Sequence, residues 1–310
     1  MERVIPPPVV NYTAFYGNVT EKSKQDYYIT RMSIEIVMLL CFSFFLCFVT
    51  KILGAFFTTP SIRENARYIL FVHMLINDTL YLVLGCLLVV FNIHTVYIPG
   101  SLCIAMYTLA SLTFRITPSN IAFMSLERYV AICFPLRHVE LCTVHRANIT
   151  VVIIWISGLL PNIAECIAMI PSLPKLFSMS MVCSKEGLQS NSVKSIIESF
   201  SVFFTFALVG LVILYTYTKV MIIARKMTSG KLAAHKAGKT VMLHAFQLLL
   251  YVTSLFTALT EKYPNDFVDY IPLAKFLIFT CLPRFLSPVI YGIRDELLYK
   301  HIKKWNPTNN

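Results

Sequence analysis

The sequence predicts an all-α membrane protein: a seven-transmembrane helix bundle followed by a short amphipathic C-terminal helix. Three observations predict this class. The chain is 56% hydrophobic and only 14% charged, whereas soluble domains average roughly 45–50% apolar and about 25% charged. Seven apolar runs each reach the roughly 20 residues a helix needs to cross a bilayer. The lysines and arginines between those runs fall unevenly on two sides.

The runs cover residues 32–57, 66–93, 100–133, 149–170, 195–223, 240–260 and 268–293. The third and fifth exceed the hydrocarbon thickness, so they tilt or project beyond it. The sixth is the shortest. No linker, internal repeat or low-complexity tract divides the chain. Residues 1–31 therefore read as an extracellular tail, 32–293 as the transmembrane domain, and 294–310 as a cytoplasmic amphipathic helix and tail. An odd number of spans puts the termini on opposite sides. Lys and Arg number 15 on one side, among them Arg63, Arg67, Arg137, Arg146 and Lys219, against 8 on the other. The richer side should be cytoplasmic, which leaves the N-terminus outside a plasma membrane.

The sequons at Asn11 ("NYT") and Asn18 ("NVT") agree with that topology, being glycosylation acceptors in the outer tail. The same triplet at Asn77 and Asn148 falls in a span and at a cytoplasmic end, where no glycan is expected. "MERVIPPPVV" has no apolar core of a cleaved signal, so the first span serves as the insertion signal. The net charge of +11 is not gathered into one tract. It therefore reflects membrane orientation, and nucleic acid is excluded as a partner. Nine scattered cysteines lack metal-type CxxC pairs, so most act as apolar side chains. Cys103 and Cys183 both fall on the outer, oxidising side, where a disulfide is permitted. Free thiols, or Cys166 as an extra partner, are the alternatives.

Ionisable residues inside spans are costly and usually face the bundle interior. Lys51, Glu198 and Lys275 lie near enough to an interface to snorkel. Asp78 lies about 18 Å from the cytoplasmic start of the second span and Arg284 about 14 Å from the inner end of the seventh. Matching depths predict a buried ion pair, acting either as structural glue or as a switch element. Arg115 stands roughly 80–100° around the third helix from the stripe Tyr107, Ser111, Phe114 and Pro118, so it faces a neighbouring helix. Glu165 or a negatively charged ligand would neutralise it. Prolines 118, 161, 272, 283 and 288 interrupt three helices, and those flanking Arg284 predict a locally irregular seventh span.

No HExxH or GxSxG motif is present, and "HKAGKT" at residues 235–240 imitates a phosphate loop but has Ala233 where the first glycine belongs. The chain therefore does not read as an enzyme, and no cofactor is implied. A transporter would show paired repeats with broken helices, and none is visible.

"MSLERYVAICFPLRH" at residues 124–138 resembles the odorant-receptor form, "MAYDRYVAICxPLxY", of the Glu/Asp-Arg-Tyr motif in rhodopsin-like G-protein-coupled receptors. "SPVIYGIRDE" at residues 287–296 is similar to their "PxIYxxRN" motif. "RYILFVHMLINDTLYL" and "CLPRFLSPVIYGIRDE" look most like the fish branch of that family. Cys103, Asp78 and Trp155 stand where the family keeps such residues. The resemblance implies an odorant receptor that binds a small-molecule odorant within the bundle and activates a stimulatory, cyclic-AMP-raising heterotrimeric G protein, with a non-olfactory rhodopsin-like receptor for a lipid or peptide as the alternative. Glu127 would hold Arg128 in the resting state, with Tyr129 completing the motif. On activation Arg128 would meet the G protein while Tyr217 and Tyr291 swing inward. The end of the sixth helix near Lys239 to His244 would move outward.

There are departures from the family. The first-helix Asn is missing from "CFVTKILG". "HAFQLLLYVTSLF" lacks the Cys-Trp-x-Pro hinge. Ser287 replaces the seventh-helix Asn, and Thr117 stands where mammalian relatives often carry an acid. These argue against a sodium site around Asp78, with Arg284 supplying the positive charge.

Helical-bundle ligand sites are mostly apolar with a few polar anchors. The inward faces nominate Tyr107, Ala110, Ser111, Phe114 and Arg115 of the third span and Ser201, Phe204 and Thr205 of the fifth. Tyr251, Leu255 and Leu277 come from the sixth and seventh. For each, plain packing is the alternative. Ala110 occupies the position where amine receptors carry an aspartate, which argues against a biogenic amine. In "RDELLYKHIKKW", Leu297, Leu298, Ile302 and Trp305 share one face, with Lys300, Lys303 and Lys304 largely opposite. Such a helix lies on anionic membrane lipids.

Overall fold

The structure is a computed structural model that describes residues 12–183, 188, 192–226, 249, 276–286 and 288. The expected sixth span and amphipathic C-terminal helix lie outside those residues, apart from Leu249. Helix α1 covers Tyr12–Thr58 and is apolar enough to cross a membrane over Glu35–Thr58. It begins well inside the segment expected to be a tail. No proline falls between Tyr12 and Pro60, so nothing in the chain ends the helix where hydrophobicity ends.

Pro60 opens the short α2 (Pro60–Arg63), a position where its missing N–H costs nothing. Asn65 caps α3 (Ala66–Ile93), its side chain accepting from the Arg67 amide at 3.1 Å. Helix α4 (Gly100–Cys133) is the central element. It packs on α3, on α6 (Val144–Met169) and on α8 (Ser192–Lys226). No residue from Ala110 to Cys133 is exposed, which is why the charges on this helix are buried. Between α4 and α6 runs α5 (Pro135–Leu141), again with proline in its first turn. Thr143 caps α6 through the Arg146 amide. The second and third spans match the expected residues at both ends, while α6 and α8 each start a few residues earlier than hydropathy suggests.

At one end of the bundle β1 (Tyr97–Pro99) pairs antiparallel with β2 (Ser180–Val182), placing Ile98 opposite Met181. Three-residue strands leave no readable alternation. Their pairing is imposed by the Cys103–Cys183 disulfide, whose Cα atoms are 5.6 Å apart. Between α6 and β2 lie a 3-10 turn (Ile170–Ser172) and α7 (Leu173–Ser178). Gly100 is required here, because a Cβ would sit 1.9 Å from the Leu176 carbonyl oxygen. Gly158 lets α6 approach α4, where a Cβ would lie 3.1 Å from Leu112 Cδ1 and 3.2 Å from Ile116 Cγ1.

The largest buried cluster joins α1, α3, α4 and α8 through Phe45, Ile52, Phe71, Leu75, Ile121, Phe206 and Ile213. A second gathers Leu84, Leu88, Met106, Met169 and Leu188 around the disulfide. The opposite faces expose large apolar side chains, such as Leu160 on α6 and Phe203 and Leu211 on α8. That is the expected pattern for a surface solvated by lipid. In the last described segment Phe276–Cys281 is a π-helical turn and residues 282–286 are α-helical. The expected irregularity thus sits one turn before Pro283, whose missing N–H disrupts the ladder there.

Candidate functional site

Three groups of polar residues converge on α4. The first is at its last turn. Glu127 is buried, yet its two oxygens serve different partners: Oε2 lies 3.6 Å from Arg128 Nε and Oε1 lies 3.1 Å from His138 Nε2. His138 belongs to α5, so one carboxylate ties the end of α4 to the following loop helix. Tyr129 packs edge-on against Tyr215 of α8, ring centroids 5.8 Å apart. Tyr217, the tyrosine expected to move, is half-buried two residues further along. Nearby, burial pushes the Cys142 thiol up, the Glu127 charge adds to this, and Arg146 opposes it. Tyr291 lies outside the described residues.

The second group is deep in the bundle. Arg284 Nε lies 3.7 Å from Asp78 Oδ1, with both side chains essentially inaccessible. The Thr117 hydroxyl donates to the same oxygen at 2.7 Å, and Asn77 Nδ2 donates to Thr117 Oγ1 and to the Thr113 carbonyl. The guanidinium also lies 3.8 Å over the Tyr81 ring, a favourable cation–π arrangement. These residues do not suit a sodium ion. A metal cation on Asp78 would share the carboxylate with a buried guanidinium and be repelled by it. Thr117, a neutral residue on the third span, becomes a hydrogen-bond donor to the only carboxylate in this layer among the described residues.

Beside it, Trp155 Nε1 donates to His73 Nε2 at 2.7 Å, and His73 Nδ1 is 3.0 Å from Asn120 Oδ1. With Nε2 accepting, Nδ1 carries the proton and donates to Asn120, so the imidazole is neutral. This link among α3, α4 and α6 had no signal in the sequence beyond a histidine within an apolar run.

The third group lines a cavity between α4, α6 and α8. Ile104, Tyr107, Thr108 and Ser111 come from α4 and Asn162, Glu165, Cys166 and Met169 from α6. Leu188 closes it, and Lys194 and Glu198 face it from α8. Arg115 Nη2 is ion-paired with Glu165 Oε1, both side chains being buried. Of the two partners the sequence left open for Arg115, the structure therefore brings Glu165 to it. Tyr107 and Ser111 line the cavity as expected.

Other expected pocket residues go elsewhere. Ala110 packs into the disulfide-end cluster, and Phe114 stands between the Tyr81 and Phe206 rings. The Ser201 and Thr205 hydroxyls bond back to their own helix, at Glu198 O and Ser201 O. Phe204 is 59% exposed and stacks on Phe200 along the outer face, so its placement in a pocket is corrected. Leu277 packs against Met38 and Cys86 between α1 and α3, away from the cavity. Tyr251, Leu255 and Asn11 lie outside the described residues, and Asn18 is on α1. Glu198, expected to snorkel, instead faces the cavity. The missed signal was the spacing Lys194, Glu198, Val202, Thr205, one face of a helix.

Comparison with known proteins bears on all three groups. The chain is 28% identical to odorant receptor 131-2 of Danio rerio over 246 residues, covering 77% of this chain and 76% of that one. It is 24% identical to olfactory receptor 52A1 of Homo sapiens over 224 residues, covering 69% and 70%. A third relative, human olfactory receptor 52R1, is 28% identical over 184 residues, covering 56% and 57%. Residues 50–291 match the 7 transmembrane receptor (rhodopsin family) domain, a span that contains the Glu127–Arg128 pair, the Asp78–Arg284 pair and the cavity. The chain therefore belongs to the rhodopsin family of seven-transmembrane receptors and is a multi-pass membrane receptor rather than an enzyme.

Proposed function

We propose that this receptor sits in the plasma membrane with its N-terminus outside, takes a small odorant into the cavity between α4, α6 and α8, and activates a stimulatory, cyclic-AMP-raising heterotrimeric G protein. The observation that carries the reading is the double engagement of Glu127 by Arg128 and His138. A buried carboxylate holding an arginine at the basic end of the bundle is a closed latch. Release of Arg128 would give a G protein a cation to dock on. The same helix lines the cavity at Ser111, and the 16 residues from there to Glu127 span about 24 Å.

Physically this is a two-state bundle. A ligand shifts it only through its differential affinity for the open form, and a change from 1:99 to 99:1 needs a preference of about 10⁴. Asp78–Arg284, joining α3 to the last described helix, is a contact whose geometry would differ between two packings. Asn11 and Asn18 would carry glycans, and the C-terminal helix would rest on anionic lipid. The test is a cyclic-AMP assay in cells expressing the chain and challenged with a broad odorant panel. A ligand-dependent rise is expected, and Arg128→Ala should abolish it at unchanged surface level. Signalling that survives Arg128→Ala would contradict the role given to that residue.

A further inference from the structure

Charge does not select the ligand of the cavity between α4, α6 and α8. Glu165 is neutralised by Arg115 behind it, and Lys194 and Glu198 of α8 have partners of their own. Selection falls to the hydrogen-bonding atoms on the wall that remain open.

Two of these are on α6. The Asn162 side chain is 4% exposed, and its Nδ2 donates to the Gly158 carbonyl at 3.2 Å. That bond fixes the amide orientation and leaves Oδ1 to accept. Three residues on, Glu165 is equally buried, with Oε1 taken by Arg115 and Oε2 left to accept. Among the described residues neither Asn162 Oδ1 nor Glu165 Oε2 meets a donor. Both stay accessible, unlike the sealed Nε and Nη1 of Arg115. The other two are on α4, where Thr108 and Ser111 line the cavity from one face and are half-buried. A hydroxyl on a helix commonly bonds back to its own preceding turn, as those of Thr113 and Thr205 do. Among the described residues Thr108 and Ser111 make no such bond.

One wall thus offers two acceptors and the other two hydroxyls, which donate and accept. An apolar molecule would strip water from both walls and return no hydrogen bond. A ketone or an ether brings acceptors only, so it leaves the α6 oxygens bare. An ammonium would donate, but it would share Glu165 with a buried guanidinium and be repelled by it. A neutral hydroxyl donates to α6 and accepts from α4, and two of them satisfy all four groups. Side chains three residues apart on a helix have Cβ atoms roughly 5–6 Å apart, within reach of hydroxyls on adjacent carbons. The cavity volume of about 50 Å³ holds about four water-sized groups, the size of a two- or three-carbon diol.

We propose that the ligand is a small neutral polyol. Its vicinal hydroxyls donate to Asn162 Oδ1 and Glu165 Oε2 and accept from Thr108 and Ser111. This deepens the receptor reading above and rests on the same cavity.

The test uses the full chain in lipid nanodiscs and saturation-transfer NMR with two sets of probes. One set is 1,2-ethanediol, 1,2-propanediol and glycerol. The other is 1,2-dimethoxyethane, butanone and propylamine. At least one polyol should bind saturably in roughly the millimolar range, and the three comparison molecules at least about tenfold more weakly. Thr108→Val and Ser111→Ala should each weaken polyol binding about two- to tenfold. Both positions are half-buried and carry no charge, so these variants fold. The proposal is overturned if no polyol binds up to about 100 mM, or if a comparison molecule binds as well. Polyol binding that neither variant weakens would overturn it too. Polyol binding without a cyclic-AMP rise would support the site and overturn the coupling. A rise driven by an apolar odorant, with no polyol binding, would do the reverse.

Discussion

Replacing Asp78 by Asn tests whether Asp78 and Arg284 act as one unit. Unit charges 3.7 Å apart attract by about 4 kcal/mol at an effective dielectric of about 20. The Arg284 side chain is 0% exposed, so its guanidinium cannot turn to water when the carboxylate charge is lost. Breaking a buried pair from one side costs about 3–5 kcal/mol, which lowers the unfolding temperature by on the order of 10 °C. Replacing both partners with apolar residues is often neutral or stabilising, by about 1–4 kcal/mol. The prediction is therefore a cycle. Asp78→Asn and Arg284→Met each destabilise strongly, and the two together cost less than the sum of the single losses. The assay is thermal unfolding of purified receptor in nanodiscs, with surface level in cells as a second readout. Strictly additive losses would refute direct pairing. They would leave Thr117, which donates to Asp78 at 2.7 Å, and the Tyr81 ring as the dominant partners.

Three further outcomes follow from the geometry. Glu127→Gln frees Arg128 and His138 from a shared charge, and loss of about 1–2 kcal/mol from the closed form raises ligand-free activity about five- to thirtyfold; nucleotide exchange on membranes measures it. Gly158→Leu forces a side chain into the contact with Leu112 and Ile116 and costs about 1–3 kcal/mol, whereas Gly158→Ala costs less, both read by thermal unfolding. The Cys142 thiol is pushed up by burial and by Glu127, so it stays protonated at about pH 7 and reacts slowly with iodoacetamide there. Because its folded pKa is raised, alkylation accelerates as pH rises, and Glu127→Gln should accelerate it further at fixed pH; peptide mass spectrometry follows the site.

Much was legible in the sequence because a bilayer constrains a chain in one dimension. Apolar length alone placed Ala66–Ile93 and Gly100–Cys133 at their observed ends. Rise per residue put Asp78 and Arg284 at matching depths, and the structure brings them together. The start of α1 was missed because a helix ends where a breaker stops it rather than where lipid does. Rotation about each helix was less readable than depth. The sequence pattern turns Phe204 inward and sets Glu198 at an interface, whereas Phe204 points out, Glu198 faces the cavity and Leu277 turns towards α1. By itself, then, the sequence determined the class and the burial of Asp78, Arg115, Glu165 and Arg284, since these depend on transfer free energies summed along the chain, while the buried Glu35 of α1 escaped it. Only the tertiary structure decided which partner each buried charge meets. Glu165 finds Arg115 and His138 finds Glu127 through the packing of separate helices, which no local pattern encodes.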